Sequence, residues 1–191
     1  MEEIETERES MEYDVVIVGA GPAGLSSAIK LKQLCNEASI EISICVVEKG
    51  SEVGAHILSG NVFDPKALNE LIPNWEEAGA PLNTPVKNDS VRYFINDSTS
   101  LPIPTFLATT FKNHGNYIMS LGNFCRWLAE QAESLEIDIF PGFTASHLIY
   151  EDDVVVGIST GDMGIDANGD KKPSYEPGID LRAKYTVLSE G

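Results

Sequence analysis

The clearest pattern along the chain is a run of apolar, mostly β-branched residues, Tyr13–Val18. Such a run is expected as a parallel strand buried on both faces. From Pro22 to Cys35, Leu25, Ala28, Ile29 and Leu34 recur near helical spacing. Ile40, Ile42, Ile44 and Val46 then alternate, which predicts a strand over Ile40–Val47. These three segments make a βαβ unit within the first 48 residues.

Beyond it, Asp64-Pro65 reads as a helix cap and a first-turn proline, opening a short helix through Leu71. Residues 74–88 are rich in turn formers. Val91–Ile95 and Leu101–Thr110 read as extended arms around Asn96-Asp97-Ser98, the second an edge strand because of Pro102 and Pro104. Leu121–Leu135 is amphipathic, with Leu121, Phe124, Cys125, Leu128, Ala129, Ala132 and Leu135 on one face. Ile137–Phe140 is expected as a strand, and His147–Tyr150 with Val154–Thr160 as a hairpin. Gly161–Gly178 reads as loop, and Ala183–Ser189 as a last strand. A parallel strand needs cover on both faces. No helix follows this one, so the chain is expected to be truncated at its C-terminus.

Length and charge narrow the classes. The chain has 191 residues and a net charge of −17, from 13 basic and 30 acidic side chains. Nucleic-acid binding leaves a basic footprint and is excluded as a partner. Residues 1–14 hold seven carboxylates and one arginine. The first ten residues read as a solvated acidic tail. The start has neither the basic and apolar regions of a signal peptide nor the Arg-rich, acid-poor character of a presequence. No segment approaches about 18 consecutive apolar residues. The expectation is a cytosolic chain or one peripheral on a membrane. Cys35, Cys45 and Cys125 match no metal or cluster spacing, and no metal site is expected in this chain.

The chemistry concentrates in Gly19-Ala20-Gly21-Pro22-Ala23-Gly24, a G-x-G-x-x-G between a strand and a helix. Gly19 suits a tight turn, Gly21 a close approach to a pyrophosphate and Gly24 tight helix–strand packing. The helix N-terminus offers free N–H groups to that anion. Glu48, at the end of the second strand, is placed to accept hydrogen bonds from an adenosine ribose. Its charge disfavours a 2′-phosphate, against NADP. The chain then continues into a glycine-bearing loop and an apolar excursion rather than another βα unit. That layout favours a two-domain flavoprotein over an NAD domain.

Tyr13–Leu34, Val46–Gly60 (with GAHILSG), Gly79–Val86, Asn113–Phe124 (with NHGNYI), Leu128–Glu133 and Thr186–Gly191 resemble the N-terminal third of the electron transfer flavoprotein–ubiquinone oxidoreductase family. The resemblance implies an α/β fold: a Rossmann-like FAD-binding domain of the glutathione-reductase/hydroxylase type with the beginning of a second, quinone-binding domain. It divides the chain into an acidic tail (1–12), an incomplete FAD-binding domain (13–84 and 113–191) and an excursion into the quinone- and membrane-facing domain (85–112).

It further implies electron transfer from reduced electron transfer flavoprotein to ubiquinone in the respiratory chain. The cofactor in this chain would be FAD, and a [4Fe–4S] cluster and the ubiquinone site belong only to the full-length protein. By resemblance, Gly19, Ala20, Gly21, Pro22, Ala23 and Gly24 hold the pyrophosphate, and Glu48 with Lys49 the ribose end. Gly54, Ala55, His56, Leu58, Ser59 and Gly60 lie near the flavin, and Thr144 and Ala145 pass the adenine. Glu190 and Gly191 begin a second flavin-contacting motif. No acid–base catalyst is named, because electron transfer needs an oriented, tuned cofactor rather than a proton donor.

His56 could bond the flavin or a phosphate, His114 is a weaker cofactor-site candidate and His147 reads as structural. Leu101–Phe111, apolar and uncharged, is expected to make peripheral membrane contact. The implied location is the inner membrane: the cytoplasmic face in a bacterium, or the mitochondrial inner membrane if a presequence was removed. Asp166–Asp170 is rejected as a calcium loop, its glycine falling at the wrong place. The alternatives are another FAD-dependent oxidoreductase of this fold, such as a monooxygenase or prenyl reductase, or an inactive fragment. Many of the former carry an Arg where this chain has Met119-Ser120-Leu121-Gly122.

Overall fold

A computed structural model describes residues 8–190, apart from Ser59, Thr105, Ala108, Ala167 and Asn168. In chain order the elements begin β1 (Ser10–Val18), α1 (Pro22–Glu37), β2 (Ile44–Glu48), β3 (Asn61–Phe63), α2 (Lys66–Leu71), β4 (Thr84–Pro85), β5 (Val91–Asn96) and β6 (Thr99–Ile103). They continue with β7 (Tyr117–Met119), α3 (Leu121–Ser134), β8 (Asp138–Pro141), β9 (Ala145–Glu151), β10 (Val154–Thr160), β11 (Met163–Ile165), β12 (Lys171–Glu176) and β13 (Asp180–Leu188). The chain divides into two compact units. One takes in residues up to Ile57 and from Cys125 onward, and the other spans Leu58–Phe124.

The first unit is built on a six-stranded sheet in the order β8-β2-β1-β13-β10-β9. Neighbours among β8, β2, β1 and β13 pair in parallel, while β10 runs antiparallel to both β13 and β9. Val15–Val18 and Ile44–Val47 are buried at every position, as central strands covered on both faces require. The Ile40–Val47 alternation overstates β2, which starts only at Ile44; Ile40 is exposed. Helix α1 buries Leu25, Ala28, Ile29 and Lys32. The expected Leu34 faces solvent, and Lys32 takes the inward place, with Nζ donating to Ile42 O at 3.1 Å. The long aliphatic stem makes Lys32 an acceptable member of an apolar face.

Two expectations at the periphery are corrected. Ser10–Glu12, read as tail, pair with Asp180–Arg182 as the first residues of β1. Arg8 is anchored as well: Nη1 lies 2.9 Å from Asp162, Nε lies 3.1 Å from Asp180, and Nη2 donates to Thr160 O at 2.5 Å. Gly161–Gly178, read as loop, contains the antiparallel ribbon β11–β12. Its base is fastened by Asp162, which accepts from the Tyr175 hydroxyl at 3.0 Å and the Gly178 N–H at 2.9 Å. The ribbon is short, polar and carries Pro173, so it leaves no periodic trace.

In the second unit β3, β7 and β4 form a three-stranded sheet, and β5–β6 a separate hairpin. Its core includes Leu68, Ile72, Trp75, Leu82, Met119 and Phe124. The Trp75 indole donates to Asn69 Oδ1 at 2.7 Å, and its ring meets Tyr117 edge-on. The expected cap is shifted by one residue: α2 is capped at Pro65, whose carbonyl accepts from Asn69 N–H, and Asp64 just before it accepts from Lys66 N at 2.9 Å. The hairpin tip is the expected turn, with Asn96 Oδ1 accepting from the N–H of Ser98 and of Thr99. This unit is wider than the 85–112 excursion, because the strands flanking that excursion pair with one another.

Two predictions follow from the first unit. Arg8→Ala should cost about 1–2 kcal/mol in chemical denaturation, since its charged hydrogen bonds are only partly shielded from water. The second concerns acid stability. Asp14 is held at about 2, below its ordinary 3.8, chiefly by the Lys184 ammonium and then by Ser43. A carboxylate held down in the folded state adds stability above its unfolded value and loses it as pH falls through the folded one. Stability should therefore drop between pH 3.8 and about 2. Asp14→Asn should remove that part of the slope in circular-dichroism titrations.

Candidate functional site

The parallel strands bring three turns and the residues after β13 together at their carboxyl ends. Val18 lies beside Val47 and Leu188, and Glu48 beside Pro141. Gly19–Gly24, Glu48–Gly50, Gly142–Thr144 and Ser189–Glu190 thus sit at one edge of the sheet. This is where open α/β sheets bind their ligands.

The three glycines of the first of these turns face different constraints. Gly19 has φ +105°, and a Cβ there would stand 2.9 Å from Ser189 O. A Cβ on Gly24 would stand 2.0 Å from the Gly19 carbonyl oxygen, so helix and strand can approach only without a side chain. Gly21 is unlike both. Its backbone is extended, and a Cβ would meet no atom within 4 Å. The space in front of it is free for a ligand. Hydrogen bonds hold the backbone beside it: Gly19 N–H to Val47 O and Ser189 N–H to Val18 O, each 2.8 Å.

Helix α1 starts at this opening with Pro22 in its first turn, no acidic residue there and no side-chain cap. The first-turn N–H groups of Ala23 and Gly24 have no intrahelical acceptor, and the helix dipole adds partial positive charge. A pyrophosphate suits that cradle in charge and in space.

Glu48 closes the other side. One carboxylate oxygen accepts from Ala20 N–H at 3.1 Å and the other from Gly50 N–H at 2.7 Å. A carboxylate has about four acceptor positions, so capacity remains for ribose hydroxyls. Gly142 N–H donates to Gly50 O at 2.7 Å and Phe143 N–H to Glu48 O at 3.0 Å, which clips the turn after β8 onto the end of β2. Thr144 is exposed, and Ala145 opens β9 opposite Thr160.

Not every expected site residue gathers here. Lys49, Ala55 and His56 are exposed. Gly54, φ +85°, is buried and turns the chain, with Ile57 N–H donating to its carbonyl. Arg126 of α3 lies 3.2 Å from Glu52 in the same loop. Leu58 and Gly60 belong to the second unit, where Leu58 is 91% exposed. Ser59 and Gly191 lie outside the described residues, and Glu190 is exposed. His114 and His147 are exposed; His147 Nδ1 lies 3.2 Å from Ser146 Oγ.

Sequence reasoning missed Gly50 and Ser189. Gly50 had a signal, a glycine two residues after the strand-ending acid. Ser189 had none, because its role is a backbone contact. The buried thiols are inert: burial pushes Cys125 up to about 11, helped by Glu48, and Cys45 up to about 12, helped by Asp138. Among the described residues no group of three or more His, Cys, Asp or Glu could hold a metal ion.

Residues 17–94 match the family described as NAD(P)-binding Rossmann-like domain. By shape, the chain is similar to a geranylgeranyl bacteriochlorophyll reductase-like protein from Thermoplasma acidophilum. The TM-score is 0.65 at 21% identity, over 95% of this chain and 40% of that one. It is also similar to p-nitrophenol 4-monooxygenase from Pseudomonas putida, with TM-score 0.59 at 18% identity, over 96% and 42%. These two likenesses establish the fold.

By sequence it is 61% identical to the electron transfer flavoprotein-ubiquinone oxidoreductase of Pseudomonas aeruginosa, over 97% of this chain and 34% of that protein. It is 56% identical to a probable enzyme of the same name from Acinetobacter baylyi, over 98% and 34%. Against the mitochondrial protein of Mus musculus it is 48% identical, over 100% and 31%. Along nearly every residue the chain matches part of the electron transfer flavoprotein–ubiquinone oxidoreductases, and it spans about a third of the length of these relatives.

Proposed function

We propose that this chain is the FAD-binding part of an oxidoreductase that takes electrons from reduced electron transfer flavoprotein and delivers them to ubiquinone. The observation that carries the FAD reading is the uncapped N-terminus of α1 behind the uncrowded Gly21, with Glu48 at the end of the neighbouring strand. The named relatives support the electron route.

When bound, the flavin supplies the one-electron redox chemistry. The chain's own residues would bind and orient it. The N–H groups of Ala23 and Gly24 would hold the pyrophosphate. Glu48 would accept from the adenosine ribose, and its charge would turn away a 2′-phosphate. The backbone of Phe143 and Thr144, clipped beside Glu48, would border the adenine. The 54–57 turn and Glu190 would extend toward the flavin ring.

Ser120 argues against the monooxygenase-like alternative. Its hydroxyl and carbonyl accept from the N–H of Asn123 and Phe124 at the start of α3, so that place holds a helix cap and no cation.

We further propose peripheral contact with the inner membrane through Leu101–Phe111 and the adjoining hairpin. Tyr93, Phe94, Ile95, Leu101, Phe106, Leu107 and Phe111 are all more than half exposed. A two-stranded ribbon with such side chains in water is marginal, and burial in a lipid interface would stabilise it. Among the described residues no helix is long and apolar enough to cross a membrane.

The glycines give a sharp test of the site. Gly21→Ala should leave the thermal midpoint of the cofactor-free chain nearly unchanged and weaken FAD binding at least about tenfold, by blocking phosphate approach. Gly24→Ala should lower the midpoint itself, because its methyl meets the Gly19 carbonyl. Equal FAD affinity in Gly21→Ala and the parent chain would remove the phosphate assignment. For the reaction, flavin in the full-length protein should be bleached by reduced electron transfer flavoprotein and not by NADPH. Rapid bleaching by NADPH alone would favour the alternative.

A further inference from the structure

The two hydrogen bonds of Glu48 carry more than a ribose contact. Ala20 and Gly50 are both buried, so neither N–H has ready access to water. Each finds its acceptor in one oxygen of the same carboxylate, at 3.1 and 2.7 Å. Leaving a buried N–H without an acceptor is costly. Ala20 lies within the phosphate loop and Gly50 in the turn after β2, so the side chain of Glu48 ties two loops that no strand ladder joins. Gly50 is matched to this role. A Cβ there would stand 3.0 Å from Glu48 Oε1 and 3.1 Å from Glu52 O. Gly50 O in turn holds the Gly142 turn, so the tie extends to a third loop.

We propose that Glu48 is a positioning residue of the phosphate site in addition to a ribose ligand. Its carboxylate braces Ala20 against Gly50 and keeps the glycine loop in its anion-accepting shape before any cofactor binds. The geometry calls for a glutamate. A glutamine would turn a donating NH2 toward one of the two N–H groups, and an aspartate is one methylene shorter. The ligand half of this inference rests on the dinucleotide reading above, while the brace itself does not.

The test compares Glu48→Gln and Gly50→Ala with the parent chain in two measurements. The first is amide hydrogen exchange without cofactor. Exchange at Ala20 and Gly50 should accelerate at least about tenfold in Glu48→Gln, the equivalent of one hydrogen bond to a charged group. Gly50→Ala keeps the carboxylate but crowds it, and should accelerate exchange in the same direction. It decides the question if Glu48→Gln fails to fold. The second is affinity for FAD and for its 2′,3′-dideoxyadenosine analogue, which lacks the ribose hydroxyls. A brace predicts that Glu48→Gln weakens the analogue about as much as FAD. Unchanged exchange at both amides, or unchanged affinity for the analogue, would leave Glu48 as a ribose ligand alone and overturn the proposal. If the parent chain binds neither ligand, the dinucleotide reading falls, and the exchange measurement still decides whether Glu48 braces the loop.

Discussion

The close approach of Gly24 to the carbonyl of Gly19 is the constraint on which the site depends. It lets α1 begin directly behind β1, so that the uncapped helix end lies at the carboxyl edge of the sheet. Any side chain at Gly24 would separate helix from strand and move the dipole away from the anion it serves. Pro22, in the first turn, removes a donor that would otherwise need a partner. The first-turn N–H groups are free because the N-cap position is Gly21, which has no side chain to offer them. Only the ligand side, at Gly21, is open.

Around that point the sheet works as a register. Four parallel neighbours end together, and short backbone bonds between their turns, such as Gly142 to Gly50 and Ser189 to Val18, keep those ends aligned. The side chain of Glu48 reaches two of the turns. This matters in a chain with a net charge of −17, because a dinucleotide is itself an anion. The site meets it with backbone dipoles, and three acids elsewhere are held in place by specific partners. Asp14 has Lys184 and Ser43, and Asp162 and Asp180 share Arg8.

The second unit follows another logic. Its small core holds Trp75 and Phe124, while the β5–β6 hairpin keeps its large apolar side chains in solvent. Tyr93 faces Leu101 across the ribbon, while Phe94 lies opposite Ser100.

Much of this was legible in the residue pattern. The buried run Val15–Val18, the existence of a second strand ending near Glu48 and the amphipathic face of α3 were readable, because each is a local consequence of burial or backbone geometry. The resemblance of GAHILSG and NHGNYI to one family pointed to relatives that share up to 61% of residues. Tertiary structure decided what local pattern does not encode. Ile40 alternates like a strand, but its N–H closes the end of α1 on the Cys35 carbonyl. Leu34 yields the buried face of α1 to Lys32, whose ammonium finds the Ile42 carbonyl. β3, β4 and β7 are too short to show a period and exist only because they pair across the second unit. Arg8 belongs to the fold because residues more than 150 positions away offer it acceptors. Turn sterics and burial act between neighbours, so the βαβ unit and its glycine turn are legible along the chain. That Gly50 and Ser189 come beside Gly19–Gly24, and that Glu48 spans two loops, emerges on folding. Those contacts are made between strand ends that the sheet alone brings together.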